Sequence, residues 1–272
     1  MGQGAEVQVR ACDRGQQHGE DRASSGKTED AVSKVLLSAR GLQKAYGANV
    51  VTSDVDFDVS QGEALAILGP NGAGKTTLFN LISGDVVVDV GELTFDGRPL
   101  RRERPFERCR LGIGRTYQIP KPYAGMTTFE NLLVAAMFGG RLDEAGASRH
   151  CAAVLEQCEL RSKANIPAGQ LTLLDRKRLE LARALASRPK LLLLDEIAGG
   201  LTDEEADKLV QLVLDIKRQG VTVVWIEHVL RAVMAVADRV MVLDSGRKLT
   251  EGLPQEVMAD PAVQRIYMGI EA

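Results

Sequence analysis

Three short apolar runs punctuate the chain: Ala64–Leu68, Leu191–Leu194 and Val221–Ile226. None alternates apolar with polar positions, as a strand with one wet face would. Runs of this kind predict strands of a parallel sheet covered on both faces. Between 203 and 219 the period changes, and Ala206, Leu209, Val210, Val213 and Ile216 recur at helical spacing. Thr202 and Glu205 have capping-box spacing at the start of that helix, and Gly220 stops it. From 127 to about 187 there is no strong strand signal; three helices are expected, over Thr127–Met137, Leu142–Leu160 and Thr172–Ala186. Asp96-Gly97 and Ser245-Gly246 read as tight hairpin turns, so antiparallel strands should flank the parallel sheet. Residues 1–34 hold no aromatic residue and mix Gly, Gln, Ser and both charges, which predicts a disordered tail.

Composition narrows the function classes. Thirty-four basic against 37 acidic residues leave a net charge of -3, so nothing suggests nucleic acid as a partner. No apolar run reaches the roughly 20 residues that cross a bilayer as a helix. The N-terminus lacks the apolar core of a secretory leader, so a membrane role is expected to come through a partner. Cys12, Cys109, Cys151 and Cys158 are scattered, with no Cys-x-x-Cys pair, and read as reduced thiols of a cytosolic protein.

The first chemical signal follows the run at 64–68. Residues 69–77 read Gly69-Pro70-Asn71-Gly72-Ala73-Gly74-Lys75-Thr76-Thr77 and lead into a helical pattern. In such a turn, backbone N–H groups and the positive end of the next helix face the same point and suit a nucleotide's phosphates. Lys75 would reach the β- and γ-phosphates, and Thr76 would offer its hydroxyl to Mg²⁺. An ordinary strand-turn-helix junction can carry the same glycines. A second acidic element distinguishes the two, and Leu191-Leu192-Leu193-Leu194-Asp195-Glu196 supplies it at a strand's carboxyl end. Asp195 would hold Mg²⁺ through its water shell, and Glu196 would polarise the water that attacks the γ-phosphate. The fold class expected is α/β, a P-loop NTPase core with a mixed sheet, an antiparallel β subdomain and an all-helical insert.

With these elements in order, the chain from about Val35 onward resembles the ATP-binding subunit of an ABC transporter. The resemblance implies one cassette over 35–272, with its core at 35–120 and 188–250. A helical insert would span about 121–187 and a C-terminal segment 251–272. It implies that Tyr46, in Lys44-Ala45-Tyr46-Gly47, stacks on adenine. Gln118, in Gly114-Arg115-Thr116-Tyr117-Gln118, would touch Mg²⁺ and sense the membrane partner; His228, in Trp225-Ile226-Glu227-His228, would contact the γ-phosphate. His18 and His150 match nothing in the family, and Trp225 reads as a core residue.

One stretch departs from the family. Where Leu-Ser-Gly-Gly-Gln is usual, this chain has Leu171-Thr172-Leu173-Leu174-Asp175. Thr172 keeps an N-cap hydroxyl, Leu174 replaces a glycine, and Asp175 places a carboxylate where a γ-phosphate would arrive. Ile197 also stands where proline is usual. The family pairs two cassettes, each closing its signature on the other's ATP. The resemblance therefore implies an asymmetric pair, with a distinct ATPase chain of intact signature rather than a homodimer.

Within the family the likeness is to ATPases of branched-chain amino acid importers and their urea and amide relatives. It rests on Gly112–Gln118, on Ile226–Leu243, and on Asp260-Pro261-Ala262-Val263 followed by Tyr267-Met268-Gly269. It implies permease subunits as direct partners, a solute-binding protein as an indirect one, and a peripheral place on the cytoplasmic membrane face. A soluble or regulatory ABC ATPase is the alternative.

Overall fold

The computed structural model describes residues 34–268; the expected tail, except Lys34, and Gly269 lie outside them. Strands β1 (Val35–Tyr46) and β2 (Asn49–Ser60) form a long, bulged antiparallel pair. β3 (Ala64–Leu68) runs through the glycine turn into helix α1 (Lys75–Ser83). β4 (Val90–Phe95) and β5 (Arg98–Leu100) make a hairpin, followed by α2 (Pro105–Leu111) and β6 (Ile113–Arg115). A helical stretch then holds α3 (Thr128–Val134), α4 (Glu144–Gln157) and α5 (Leu173–Ala186). The chain returns through β7 (Leu191–Asp195), α6 (Asp203–Arg218), β8 (Thr222–Ile226) and α7 (Leu230–Val236). It continues with β9 (Arg239–Asp244), β10 (Arg247–Gly252), α8 (Pro254–Ala259) and α9 (Pro261–Met268).

Two sheets result. The smaller is antiparallel, in order β2-β1-β4-β5; the larger runs β10-β9-β3-β8-β7-β6, parallel except for β10. The three apolar runs become β3, β7 and β8, buried at every position. Their lack of alternation has a direct cause. Leu191, Leu193, Val224 and Ile226 face the core shared with α1 and the antiparallel sheet, while Leu192, Leu194, Val223 and Trp225 face the core built on α5 and α6. With both faces dry, each such leucine contributes about 1.5–3 kcal/mol of burial.

Both hairpins form at the expected dipeptides, with positive φ at Asp96 (49°), Gly97 (76°), Ser245 (46°) and Gly246 (78°). Thr202 and Glu205 cap α6 reciprocally: Thr202 N–H donates to Glu205 Oε2 at 3.0 Å and Glu205 N–H to Thr202 Oγ1 at 3.3 Å. Two helices differ in detail from expectation. α4 starts later because Asp143 caps it, accepting from Gly146 N–H at 2.9 Å, and it stops before Glu159, whose φ is 56°. The end of the expected 127–137 helix widens into a π-helical turn, Ala135–Gly139, with Gly140 N–H donating to Ala135 at 3.0 Å. Packing fixes that turn: a Cβ on Gly139 would come within 2.9 Å of Cys109 Sγ.

Burial pushes the Cys151 and Cys158 thiols up to about 11 and about 12, so neither is a thiolate at neutral pH. Among the described residues no helix is long and apolar enough to cross a membrane.

Candidate nucleotide site

Three neighbouring parallel strands deliver the candidate residues to one edge of the sheet. β3 ends at the glycine turn, β8 ends before Glu227 and His228, and β7 ends at Asp195 before Glu196. Since β8 alone separates β3 from β7, the turn and the acidic tip stand about 10 Å apart at the strand level, within reach of side chains. Ligands of open α/β sheets sit at this carboxyl edge.

The glycines of the turn have different tasks. A Cβ on Gly69 would strike the Leu243 carbonyl oxygen at 2.2 Å, so this glycine seats the turn against β9. Gly72 is exposed, has φ 81°, and a Cβ there would meet nothing within 4 Å; the tip stays open for a ligand. Gly74 is the N-cap of α1 without any side-chain cap, which leaves the first N–H groups of the helix to an anion. Pro70, Asn71 and Ala73 complete the turn, Thr76 is exposed and Thr77 half-buried. Buried Lys75 donates its Nζ to the carbonyls of Gly69 (2.7 Å) and Pro70 (3.0 Å). Burial lowers the pKa of Lys75, and the negative fields of Glu196 and Asp195 oppose that shift. The lysine thus senses both acids of the strand tip.

Asp195 is buried, and desolvation raises its pKa despite the Arg115 guanidinium 3.4 Å away. A carboxylate left with too little compensating charge suits a cation. Among the described residues no cluster of three or more His, Cys, Asp or Glu side chains could hold a metal alone. Mg²⁺, which is commonly held by one or two carboxylates together with substrate phosphates, fits such a donor set. Arg115 was not distinguished in sequence, yet it braces the site: its Nη1 donates to Asn80 Oδ1 (2.7 Å), Ser83 Oγ (2.9 Å) and Asp85 Oδ2 (3.0 Å).

Glu196 joins two other candidate residues. Its Oε1 lies 2.6 Å from His228 Nε2, and its Oε2 accepts from Gln118 Nε2. Its φ of 46° is left-handed, a conformation that costs a non-glycine residue on the order of 1–3 kcal/mol. The surrounding bonds hold it there, beginning with its own N–H donated to Ile226 at 2.9 Å. Tyr46 is exposed at the end of β1, with Lys44 Nζ 5.5 Å from its ring centroid.

The altered signature opens α5. Leu171 is buried, Leu173 exposed and Leu174 half-buried. Thr172 accepts the Asp175 N–H at 3.3 Å and donates its hydroxyl to Asp175 Oδ2 at 2.7 Å. Lys163 Nζ bonds the same carboxylate oxygen. Burial would raise the Asp175 pKa, but the bonds from Lys163 and Thr172 hold it below the usual carboxylate value. Asp175, expected to face an arriving phosphate, is therefore turned inward and neutralised by a lysine that sequence spacing did not connect to it.

Tyr117, the residue before Gln118, lines a cleft of about 260 Å³ together with Phe106, Cys109, Glu180 and Arg183 among others. Tyr123, Phe138 and Ile119 are also exposed.

Comparison with known proteins bears on the family of the chain. Residues 52–199 match the family model described as ABC transporter, and 247–272 match that of the branched-chain amino acid ATP-binding cassette transporter. A probable ABC transporter ATP-binding protein of Azorhizobium caulinodans is 35% identical over 265 residues, covering 96% of this chain and 91% of its own. The high-affinity branched-chain amino acid transport ATP-binding protein LivG of Salmonella typhimurium is 34% identical, covering 88% and 99%. A crystal structure of the ADP conformation of an ATP-binding cassette of an ABC transporter superposes with TM-score 0.80 at 30% identity, covering 88% of this chain and all of that one.

Proposed function

The chain belongs to the ABC transporter family, as an ATP-hydrolysing cassette, and on that premise we propose that it energises import of branched-chain or other hydrophobic amino acids. The site chemistry is carried by one observation: the Glu196 carboxylate held between His228 and Gln118 at the strand edge that also bears the glycine turn. Gly69 to Gly74 would cradle the phosphates, Lys75 and Thr77 would bind their oxygens, and Tyr46 would carry the adenine. Thr76, Asp195 and Gln118 would hold Mg²⁺. The ion would neutralise charge between the β- and γ-phosphates. Glu196 would take the proton of the attacking water, and His228 would orient Glu196 and approach the γ-phosphate.

Permease subunits would be the direct partners. A short cytoplasmic segment of a permease, apolar on one side, would fit the cleft that Tyr117 lines, where Phe106 and Tyr117 are exposed. Gln118 would then report its movement to Glu196. On this reading the chain would sit peripherally on the cytoplasmic membrane face, with a solute-binding protein acting through the permease. The solute class rests on the C-terminal match and on relatives such as LivG. Reconstitution with the co-purifying permease tests it: leucine, isoleucine or valine should drive ATP-dependent uptake. Uptake of urea or amides alone would overturn the solute assignment.

The second cassette would be a different chain with an intact signature. Here Thr172 and Asp175 spend their polar atoms on each other and on Lys163, and Leu174 sets a half-buried apolar side chain where the family has glycine. Restoring donors through Leu174→Gly with Asp175→Gln should raise turnover at the partner's nucleotide by about tenfold or more, given what a single oxyanion donor contributes. Lys163 is partly solvated and tolerates losing its partner. Unchanged turnover in the reconstituted complex would contradict the asymmetry.

A further inference from the structure

Two buried charges beside Glu196 take no part in the steps above. Lys177, on α5, is 5% exposed, and its Nζ donates to the Glu196 carbonyl at 3.3 Å. Glu227, just beyond β8, is 1% exposed. Its Oε2 accepts the Ala198 N–H at 3.2 Å, and its Oε1 accepts the N–H groups of His228 (2.9 Å) and Val229 (3.2 Å). Lys177 lies within the electrostatic field of both Glu227 and Glu196. A cation from the helical insert and an anion from the sheet edge thus grip one turn, 196–199, whose first residue is left-handed.

Packing alone does not account for this lysine. A lysine that only covers apolar surface keeps its ammonium in water. This one ends inside the protein on a single main-chain oxygen, an arrangement that needs a compensating charge nearby.

We propose that Lys177 is a positioning residue for ATP hydrolysis. Its ammonium, with Glu227 as counter-charge, fixes the Glu196 peptide so that the carboxylate stays on His228. Thr172 and Asp175 open the same helix, so a shift of the signature turn against a second cassette reaches Glu196 through this contact. The rate at a chain's own nucleotide then depends on how its own signature helix is seated.

The inference rests on Glu196 as the residue that activates water, and the test keeps the two apart. The kcat is read on the complex reconstituted with its permease and second cassette in ATP and Mg²⁺, and ATP Kd and melting temperature on the full-length chain. Lys177→Met, which keeps the stem and removes the charge, should lower kcat about ten- to a hundredfold, the scale of a small misplacement of a reacting group. ATP Kd and melting temperature should stay near parental values, and Lys177→Arg should recover most of the rate. Glu227→Gln should also slow turnover, and the double variant should be no slower than the slower single, because the two act as a unit. Parental kcat in Lys177→Met, with Glu196→Gln inactive, overturns this inference alone. Parental kcat in Glu196→Gln overturns the reading beneath it. A fall in ATP affinity and melting temperature in step with the rate would mark Lys177 as structural and also overturn the proposal. Should Lys177→Met fail to fold, Glu227→Gln decides, and parental kcat there overturns it.

Discussion

Glu196→Gln is expected to stop ATP turnover while ATP stays bound. Glutamine has nearly the shape of glutamate and can still accept through one oxygen from His228 or Gln118, the two neighbours of the native carboxylate. It cannot take a proton from water. Losing a positioned general base lowers a rate by about 10²–10⁴. The phosphate turn, Lys75 and Asp195 are untouched, so ATP affinity should change little. Single-turnover hydrolysis with equilibrium ATP binding checks both halves. A loss under about fivefold, well below that range, would show that another group activates the water.

Lys75→Ala should do the opposite and remove binding itself. In the structure the ammonium is buried and satisfied by the Gly69 and Pro70 carbonyls, both neutral acceptors. A triphosphate offers charged oxygens at the same place, and charge-assisted bonds are roughly twice as strong as neutral ones. Truncating one partner of a buried charged contact costs about 2–5 kcal/mol, which weakens ATP binding roughly 30-fold to several thousand-fold. Titration with ATP measures this, and a melting curve without ATP separates lost binding from a loosened turn. Parental affinity in a folded Lys75→Ala chain would refute the phosphate site.

Much of this arrangement is legible in the sequence because burial on two faces leaves a simple trace. Strands β3, β7 and β8 read as unbroken apolar runs, since every position is dry. Asp96-Gly97 and Ser245-Gly246 announce their hairpins because few other residues accept positive φ in succession. The β1–β2 pair leaves no such trace: bulges near Ala39–Leu42 and Lys44 interrupt its register and blur the period of two. The π-turn at Ala135–Gly139 was equally hidden, as it depends on contacts with Cys109, distant in sequence.

Within the site, residues presented by a strand end or a glycine turn could be named from the chain. Arg115, Lys177 and Glu227 could not. Each is a charged residue whose sequence context fits an exposed position, and only the tertiary structure shows it buried against the site. The inward turn of Asp175 was illegible for the same reason, since its partner Lys163 stands in a separate short turn. The left-handed backbone of Glu196 has no compositional trace, because glutamate is not a residue that favours it.

The most direct test of the account is a crystal structure of the Glu196→Gln chain with ATP and Mg²⁺. The account predicts the phosphates inside the 69–77 turn, Lys75 Nζ drawn off the Gly69 and Pro70 carbonyls onto them, and one metal shared by Thr76 and the water shell of Asp195. Nucleotide bound away from that turn, or a metal that Asp195 does not reach, would contradict it.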